Sequence, residues 1–251
     1  MPSGFLEARR ILNIAHRGAS AIAPENTLAA FEAARALGAD GIELDVRLCA
    51  DGVPVVIHDA TVDRTTDGSG RVADMTLTQL KELDAGSWFG PAFSEEPVPT
   101  LRETLETVGK KLLVNIELKG EGLVNRGLAH AVVDVIEQYG LGERVLLSAF
   151  NPLTLRRVQK IAPQIPTALL YASASLPRLA SLVARRPYAA LHPHVGAASA
   201  EHMDWIRRRN HRIHVWTVDD PGEMRRLIRW DVDGMITNVP DHLSKVLRSE
   251  S

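Results

Sequence analysis

The chemistry in this chain starts with acidic residues where a buried strand should be apolar. In Gly41-Ile42-Glu43-Leu44-Asp45-Val46 the side chains of a strand alternate, so Glu43 and Asp45 share one face and Ile42, Leu44 and Val46 the other. Adjacent like charges destabilise each other unless a positive charge stands between them. A hard divalent cation, Mg²⁺ or Ca²⁺, meets that need because it favours oxygen ligands. Salt bridges at a strand end are the plainer alternative. The pattern recurs in Val114-Asn115-Ile116-Glu117-Leu118-Lys119, which puts Asn115, Glu117 and Lys119 on one face. Glu117 offers a third carboxylate ligand and Lys119 a cation for an anion beside the metal.

Two histidines complete the inventory. His16-Arg17-Gly18 follows the apolar run Ile11–Ala15; His16 exchanges protons near neutral pH, and Arg17 presents a planar fork suited to phosphate oxygens. Val53–His58 is a second apolar run, separated from the Gly41 strand by Asp51-Gly52, a hairpin signal that implies antiparallel pairing. Folding back in this way returns His58 to the level of Glu43 and Asp45. Two proton carriers suit phosphodiester cleavage: one deprotonates the attacking hydroxyl, the other protonates the leaving oxygen. A metal and cations would neutralise the charge that develops.

These residues need a frame. Strands are expected at Ile11–Ala15, Gly41–Val46, Leu112–Leu118, Val145–Phe150, Thr167–Tyr171, Ala189–Pro193, Ile213–Val218 and Gly234–Thr237. Helical periodicity falls near 27–37, 101–108, 123–138, 152–161, 176–185, 199–210, 221–230 and 240–248. Alternation of this kind implies right-handed crossovers, and eight repeats imply a TIM (β/α)₈ barrel. Active residues of such barrels lie at the C-terminal strand ends, where both acidic patterns fall. The segment of about 59–99 breaks the rhythm and reads as a small insertion after the hairpin, carrying Trp88, Phe89 and Phe93. Residues 1–251 read as a single domain.

The composition excludes several classes. The chain has 251 residues, 45% hydrophobic and 24% charged, with a formal net charge of −2. It carries no basic block of the kind that binds nucleic acid, and Arg207-Arg208-Arg209 reads as a solvated helix end. No apolar run reaches the ~20 residues of a membrane span. Cys49 is the single cysteine, so no internal disulfide forms. No secretory signal opens the chain, and the expectation is a cytoplasmic protein. Oligomeric state is not readable.

Taken together, His16-Arg17-Gly18, Pro24-Glu25-Asn26-Thr27, Gly41–Val46, Asp51-Gly52, Val55–Asp59, Pro99-Thr100-Leu101, Ile116–Lys119, Ser148–Phe150 and Val215-Trp216-Thr217-Val218 resemble the glycerophosphodiester phosphodiesterase family. The resemblance runs from about 12 to 240 in the family's order. It implies a phosphatidylinositol-phospholipase-C-like barrel that releases sn-glycerol 3-phosphate and an alcohol from a small-molecule glycerophosphodiester. It implies one divalent metal on Glu43, Asp45 and Glu117, His16 and His58 as the acid/base pair, and Arg17 and Lys119 on the phosphate. Trp216 resembles the family's aromatic wall near the glycerol, barrel-rim packing being the alternative. Glu25 and Asn26 brace the loop or touch substrate; Asn26 is equally a candidate helix cap. Asn238 stands where many members carry Asp. His192 and His194 lie outside the shared set.

Other readings compete. Sphingomyelinase-D-like phospholipases share the histidines and metal carboxylates, and phospholipase D-like or lysophospholipase D activity fits the same barrel. A glycoside hydrolase also uses two carboxylates, but Glu43 and Asp45 on one strand flank a sugar bond poorly. A non-catalytic phosphodiester-binding module is the remaining class.

Overall fold

The computed structural model describes residues 4–120, 127–173 and 187–250. The strands are β1 (Leu12–His16), β2 (Gly41–Leu48), β3 (Pro54–Val56), β4 (Leu113–Leu118), β5 (Val145–Ala149), β6 (Thr167–Tyr171), β7 (Ala190–Pro193), β8 (Arg212–Val215) and β9 (Gly234–Thr237). All but β3 pair in parallel in the order β1-β9-β8-β7-β6-β5-β4-β2, and β1 pairs with β2 to close the ring. This is the TIM barrel. Each expected strand lies within two residues of its observed start. The helices are α1 (Leu28–Ala36), α2 (Leu77–Lys81), α3 (Leu101–Val108), α4 (Leu128–Tyr139), α5 (Pro152–Ile161), α6 (Ala200–Arg207), α7 (Pro221–Arg229) and α8 (Pro240–Ser249). The helix expected near 176–185 lies outside the described residues.

Caps written in the sequence fix most helix starts. Thr27, Asn151, Ser199 and Asp220 each accept a backbone N–H of the first helical turn. Thr76 and Thr100 form reciprocal capping boxes with Gln79 and Glu103. Thr27, rather than Asn26, caps α1, because Asn26 turns its side chain to β2.

Strand alternation sorts the core. Ile42, Leu44, Val46, Val114, Ile116 and Leu118 face the helices in the large apolar cluster. Leu12, Ile14, Leu113, Leu146, Ala168, Ala190 and Ile236 pack with Phe5 in a second cluster on the inner face. That apolar layer sits beneath the polar residues at the C-terminal strand ends.

β3 runs antiparallel to β2, with Val46 opposite Val56 and Leu48 opposite Pro54. The turn is wider than a two-residue Asp-Gly link. It runs through Cys49–Val53, with Cys49 N–H donating to the Val53 carbonyl at 3.1 Å and Gly52 at φ 74°. β2 continues two residues beyond Val46 and pairs as far as Leu48 with Pro54, so five residues rather than two make the reversal. The segment that follows packs Val62, Val72, Leu80, Ala85 and Val98 on Val55 and Ile57. Phe89 meets both Trp88 and Phe93 edge-to-face. No helix among the described residues is long and apolar enough to cross a membrane.

Candidate active site

Strand register assembles the acidic residues. His16 lies opposite Glu43 across the β1–β2 pair. Glu43 lies opposite Asn115, and Asp45 opposite Glu117, across β2–β4. Glu117 in turn faces Ser148 across β4–β5. Inward residues of neighbouring strands therefore stand side by side. Glu43, Asp45 and Glu117 are all buried, and one carboxylate oxygen from each lies within 4.8 Å of the others.

The chain turns sharply after β1. Arg17 adopts φ 56° and Gly18 φ 85°, a left-handed pair that only the second residue takes without strain. A Cβ on Gly18 would stand 2.7 Å from the Ala30 backbone. The turn brings Arg17 back over the carboxylates. Its N–H donates to Glu43 Oε2 at 3.2 Å, Nε lies 3.2 Å from Asp45 Oδ2, and a terminal nitrogen donates to Glu25 Oε1 at 2.8 Å. On the other side Lys119 Nζ lies 3.0 Å from Asp45 Oδ1 and 2.6 Å from Glu117 Oε1. Asn26, itself at φ 60°, donates to Asp45 Oδ2 at 2.9 Å and accepts from Asp45 N–H at 3.3 Å.

The hairpin returns His58 to this end. Ile57 N–H donates to the Asp45 carbonyl at 2.9 Å, and Arg47 Nε donates to the His58 carbonyl at 2.9 Å. His58 Nδ1 lies 2.6 Å from Asp59 Oδ1. Arg64 clamps Asp59 at 2.7 Å and reaches Glu25 at 2.7 Å, tying the His58 turn to the loop that holds Arg17. On the opposite flank His16 Nε2 lies 3.8 Å from Glu43 Oε2, and its Nδ1 lies 2.8 Å from Asn238 Oδ1.

Burial and charge set the protonation. Burial, then the Asp45 and Glu117 charges, hold the Glu43 carboxyl well above the usual range. Burial and the Asp45 charge push Glu117 up to about 7, with Lys119 and Arg17 opposing. Burial opposes the charge on Asp45 too, but Lys119, Arg17, His58 and Asn26 outweigh it and hold this acid low. Burial and the neighbouring Arg17 bring His16 down to about 4. Burial also lowers His58, while the Asp45 charge and the Asp59 hydrogen bond oppose it. Three buried carboxylates that resist simultaneous ionisation make a donor set that a hard divalent cation fits.

Trp216 stands at the rim. Its Nε1 donates to the His192 carbonyl at 2.8 Å, and its ring meets His194 and Phe150 edge-on at 5.0 and 5.4 Å. Phe150 is half-exposed, and Lys119 Nζ lies 6.0 Å from its ring centroid. An aromatic pair thus adjoins the cation cluster. His192 is fully buried against His214, with their rings 4.9 Å apart, so it does not line the mouth.

This arrangement meets its counterparts in known proteins. The profile of the Glycerophosphoryl diester phosphodiesterase family matches residues 16–242. The chain belongs to that family. It is 44% identical to a glycerophosphodiester phosphodiesterase of Caldanaerobacter subterraneus subsp. tengcongensis, covering 95% of this chain and 98% of the relative. Among solved structures, an Oleispira antarctica phosphodiesterase in complex with the product sn-glycerol-3-phosphate superposes with a TM-score of 0.87 at 30% identity, covering 94% of this chain and 96% of that one. A glycerophosphodiester phosphodiesterase from Agrobacterium tumefaciens superposes with a TM-score of 0.80 at 32% identity, covering 95% and 100%. The chain is thus an enzyme, a phosphodiesterase by family.

Sequence reasoning left several contributors unassigned. Asp59 closed the Val55–Asp59 motif without a role of its own, and Arg64 carried no signal. Asn115 and Ser148 are buried with no hydrogen-bond partner on their side-chain polar atoms. The strand alternation put Asn115 on the correct face, yet gave it no role.

Proposed function

We propose that the chain hydrolyses glycerophosphodiesters to sn-glycerol 3-phosphate and an alcohol, with one divalent cation, Mg²⁺ or Ca²⁺, on Glu43, Asp45 and Glu117. The observation that carries this reading is the convergence of three buried carboxylates within 4.8 Å, flanked by Arg17 and Lys119 and bounded by His16 and His58. The Oleispira relative's complex with sn-glycerol-3-phosphate supports the substrate class.

When bound, the cation supplies Lewis-acid polarisation and charge neutralisation at the phosphoryl oxygens. Arg17 and Lys119 hold the phosphate and oppose the charge that grows on it. His16, held neutral by burial and Arg17, takes the proton of the nucleophile, which is water itself or the glycerol 2-hydroxyl whose cyclic phosphate water then opens. His58, backed by the Asp59 carboxylate, protonates the departing alcohol oxygen. Trp216 and Phe150 give the glycerol carbons an apolar surface.

The test is a panel of glycerophosphocholine, glycerophosphoethanolamine and lysophosphatidylcholine with Mg²⁺, Ca²⁺ or chelator. Turnover of the glycerol esters that vanishes in chelator is the expected result. Full turnover in chelator would remove the metal from the proposal, and cleavage of lysophosphatidylcholine alone would move the substrate class to lysophospholipids.

A further inference from the structure

Behind His16 lies a chain of groups that the reaction outlined above does not use. Asp219, in the loop after β8, receives three donors from the end of β9 and beyond. Thr237 Oγ1 lies 3.0 Å and Asn238 N 2.8 Å from its Oδ1, and Asn238 Nδ2 lies 2.6 Å from its Oδ2. Val218 N–H bonded to the Ile236 carbonyl at 2.9 Å fixes this loop against β9. On the far side, Asn238 Oδ1 lies 2.8 Å from both Ser20 Oγ and His16 Nδ1.

We propose that Asn238, held from behind by Asp219, is a positioning residue that fixes His16 as its Nδ1–H tautomer. The logic is one of donors and acceptors. A carboxylate only accepts, so the amide nitrogen of Asn238 has to face Asp219. Its carbonyl oxygen therefore faces His16. That oxygen also only accepts, so Nδ1 carries the hydrogen. A neutral imidazole has one N–H, which leaves Nε2 bare on the side of Glu43, 3.8 Å away.

The same pairing calls for an amide rather than a carboxylate at position 238. An ionised carboxylate at position 238 would set two acceptors 2.6 Å apart with no hydrogen between them. The amide instead presents a donor to Asp219 and an acceptor to His16. Asn238 and Asp219 are therefore a matched pair, and exchanging their types should preserve the match. The positioning bears on catalysis only through the reading of His16 as the base.

The test is the tautomer of His16, read at pH 8 from long-range ¹H–¹⁵N spectra of ¹⁵N-histidine-labelled protein. The resonance is identified by its loss in His16→Gln. The intact protein should show pyrrole-type Nδ1 and pyridine-type Nε2. Asp219→Asn sets amide against amide, turns the Asn238 side chain and should invert the pattern, with kcat falling about tenfold or more and KM changing little. The double variant Asp219→Asn, Asn238→Asp restores an acceptor facing His16 and should restore both readouts. An Nε2–H tautomer in the intact protein, or an unchanged tautomer in Asp219→Asn, overturns the inference. The spectrum of the intact protein decides it even if a variant does not fold. An inverted tautomer with undiminished kcat would instead overturn the role of His16 as base and leave the positioning intact.

Discussion

Lys119 Nζ lies 2.6 Å from Glu117 Oε1, although the two residues sit only two apart at the end of one strand. The same ammonium reaches Asp45 on the next strand at 3.0 Å. Burial opposes the charge on Lys119, but Asp45 and Glu117 raise its pKa above the ordinary value. The lysine thus remains a cation inside a mostly desolvated site, where a charge-assisted hydrogen bond is strong.

Replacing Lys119 by Met should therefore lower kcat/KM by about 10²–10³-fold, the size of the loss when one oxyanion donor is removed in acyl transfer. The loss should fall on kcat as well as KM. Steady-state kinetics with glycerophosphocholine measures it. A change in KM alone would mean that Lys119 only binds the ground state.

A cation on Glu43, Asp45 and Glu117 should stabilise the fold by mass action. At a hundred times its Kd it contributes about 2.7 kcal/mol, provided the unfolded chain does not bind it. For a chain of this size, that raises Tm by roughly 5–10 °C. Thermal unfolding with added Mg²⁺ or Ca²⁺ should show this rise in the intact protein and none in Asp45→Asn/Glu117→Gln. An equal rise in both would place the ion elsewhere.

Much of this site was legible because strand alternation is strict. Glu43 and Asp45 had to share a face, as did Asn115, Glu117 and Lys119, and the Asp51-Gly52 turn had to bring His58 back. The register between strands was not legible. Nothing local says that Asp45 stands opposite Glu117, because that depends on the closure of the whole ring. Asn26 stayed open between a loop brace and a helix cap for a related reason. Its left-handed φ of 60° aims the side chain at Asp45, and a neighbouring Thr can cap just as well. The hairpin was read in the right sense with too tight a turn, since pairing ends at Leu48 and Pro54 and Cys49–Val53 all belong to the reversal.

Asp59 holds His58 through a 2.6 Å contact at Nδ1, and Arg64 fixes Asp59 from the solvent side at 2.7 Å. Asp59→Ala should leave His58 without a fixed orientation and lower kcat by about 10–100-fold, with a smaller change in KM. Arg64→Met should show a milder form of the same loss, because Asp59 remains but loses its clamp. Equal kcat in Asp59→Ala and the intact enzyme would remove Asp59 from the orientation of His58.

A buried histidine pair that the proposed reaction does not use should lower stability in acid. His214 Nδ1 lies 3.0 Å from His192 Nε2, and both rings are fully buried. Burial lowers both, His214 to about 4, with the neighbouring His214 adding to the effect on His192. The unfolded chain protonates these rings near the ordinary value of about 6.5. The unfolded state therefore binds more protons between about pH 6.5 and 4, and stability falls as pH drops through that window. Above about pH 7 the pair has no pH-dependent effect. At pH 5 the penalty from His214 alone is roughly 2 kcal/mol relative to pH 7. Urea unfolding at pH 7 and pH 5 should show this difference, and His214→Gln should reduce it by a similar amount whatever the variant's stability at pH 7. A pH 7-to-5 difference unchanged by the substitution would show that His214 is not the residue that resists protonation.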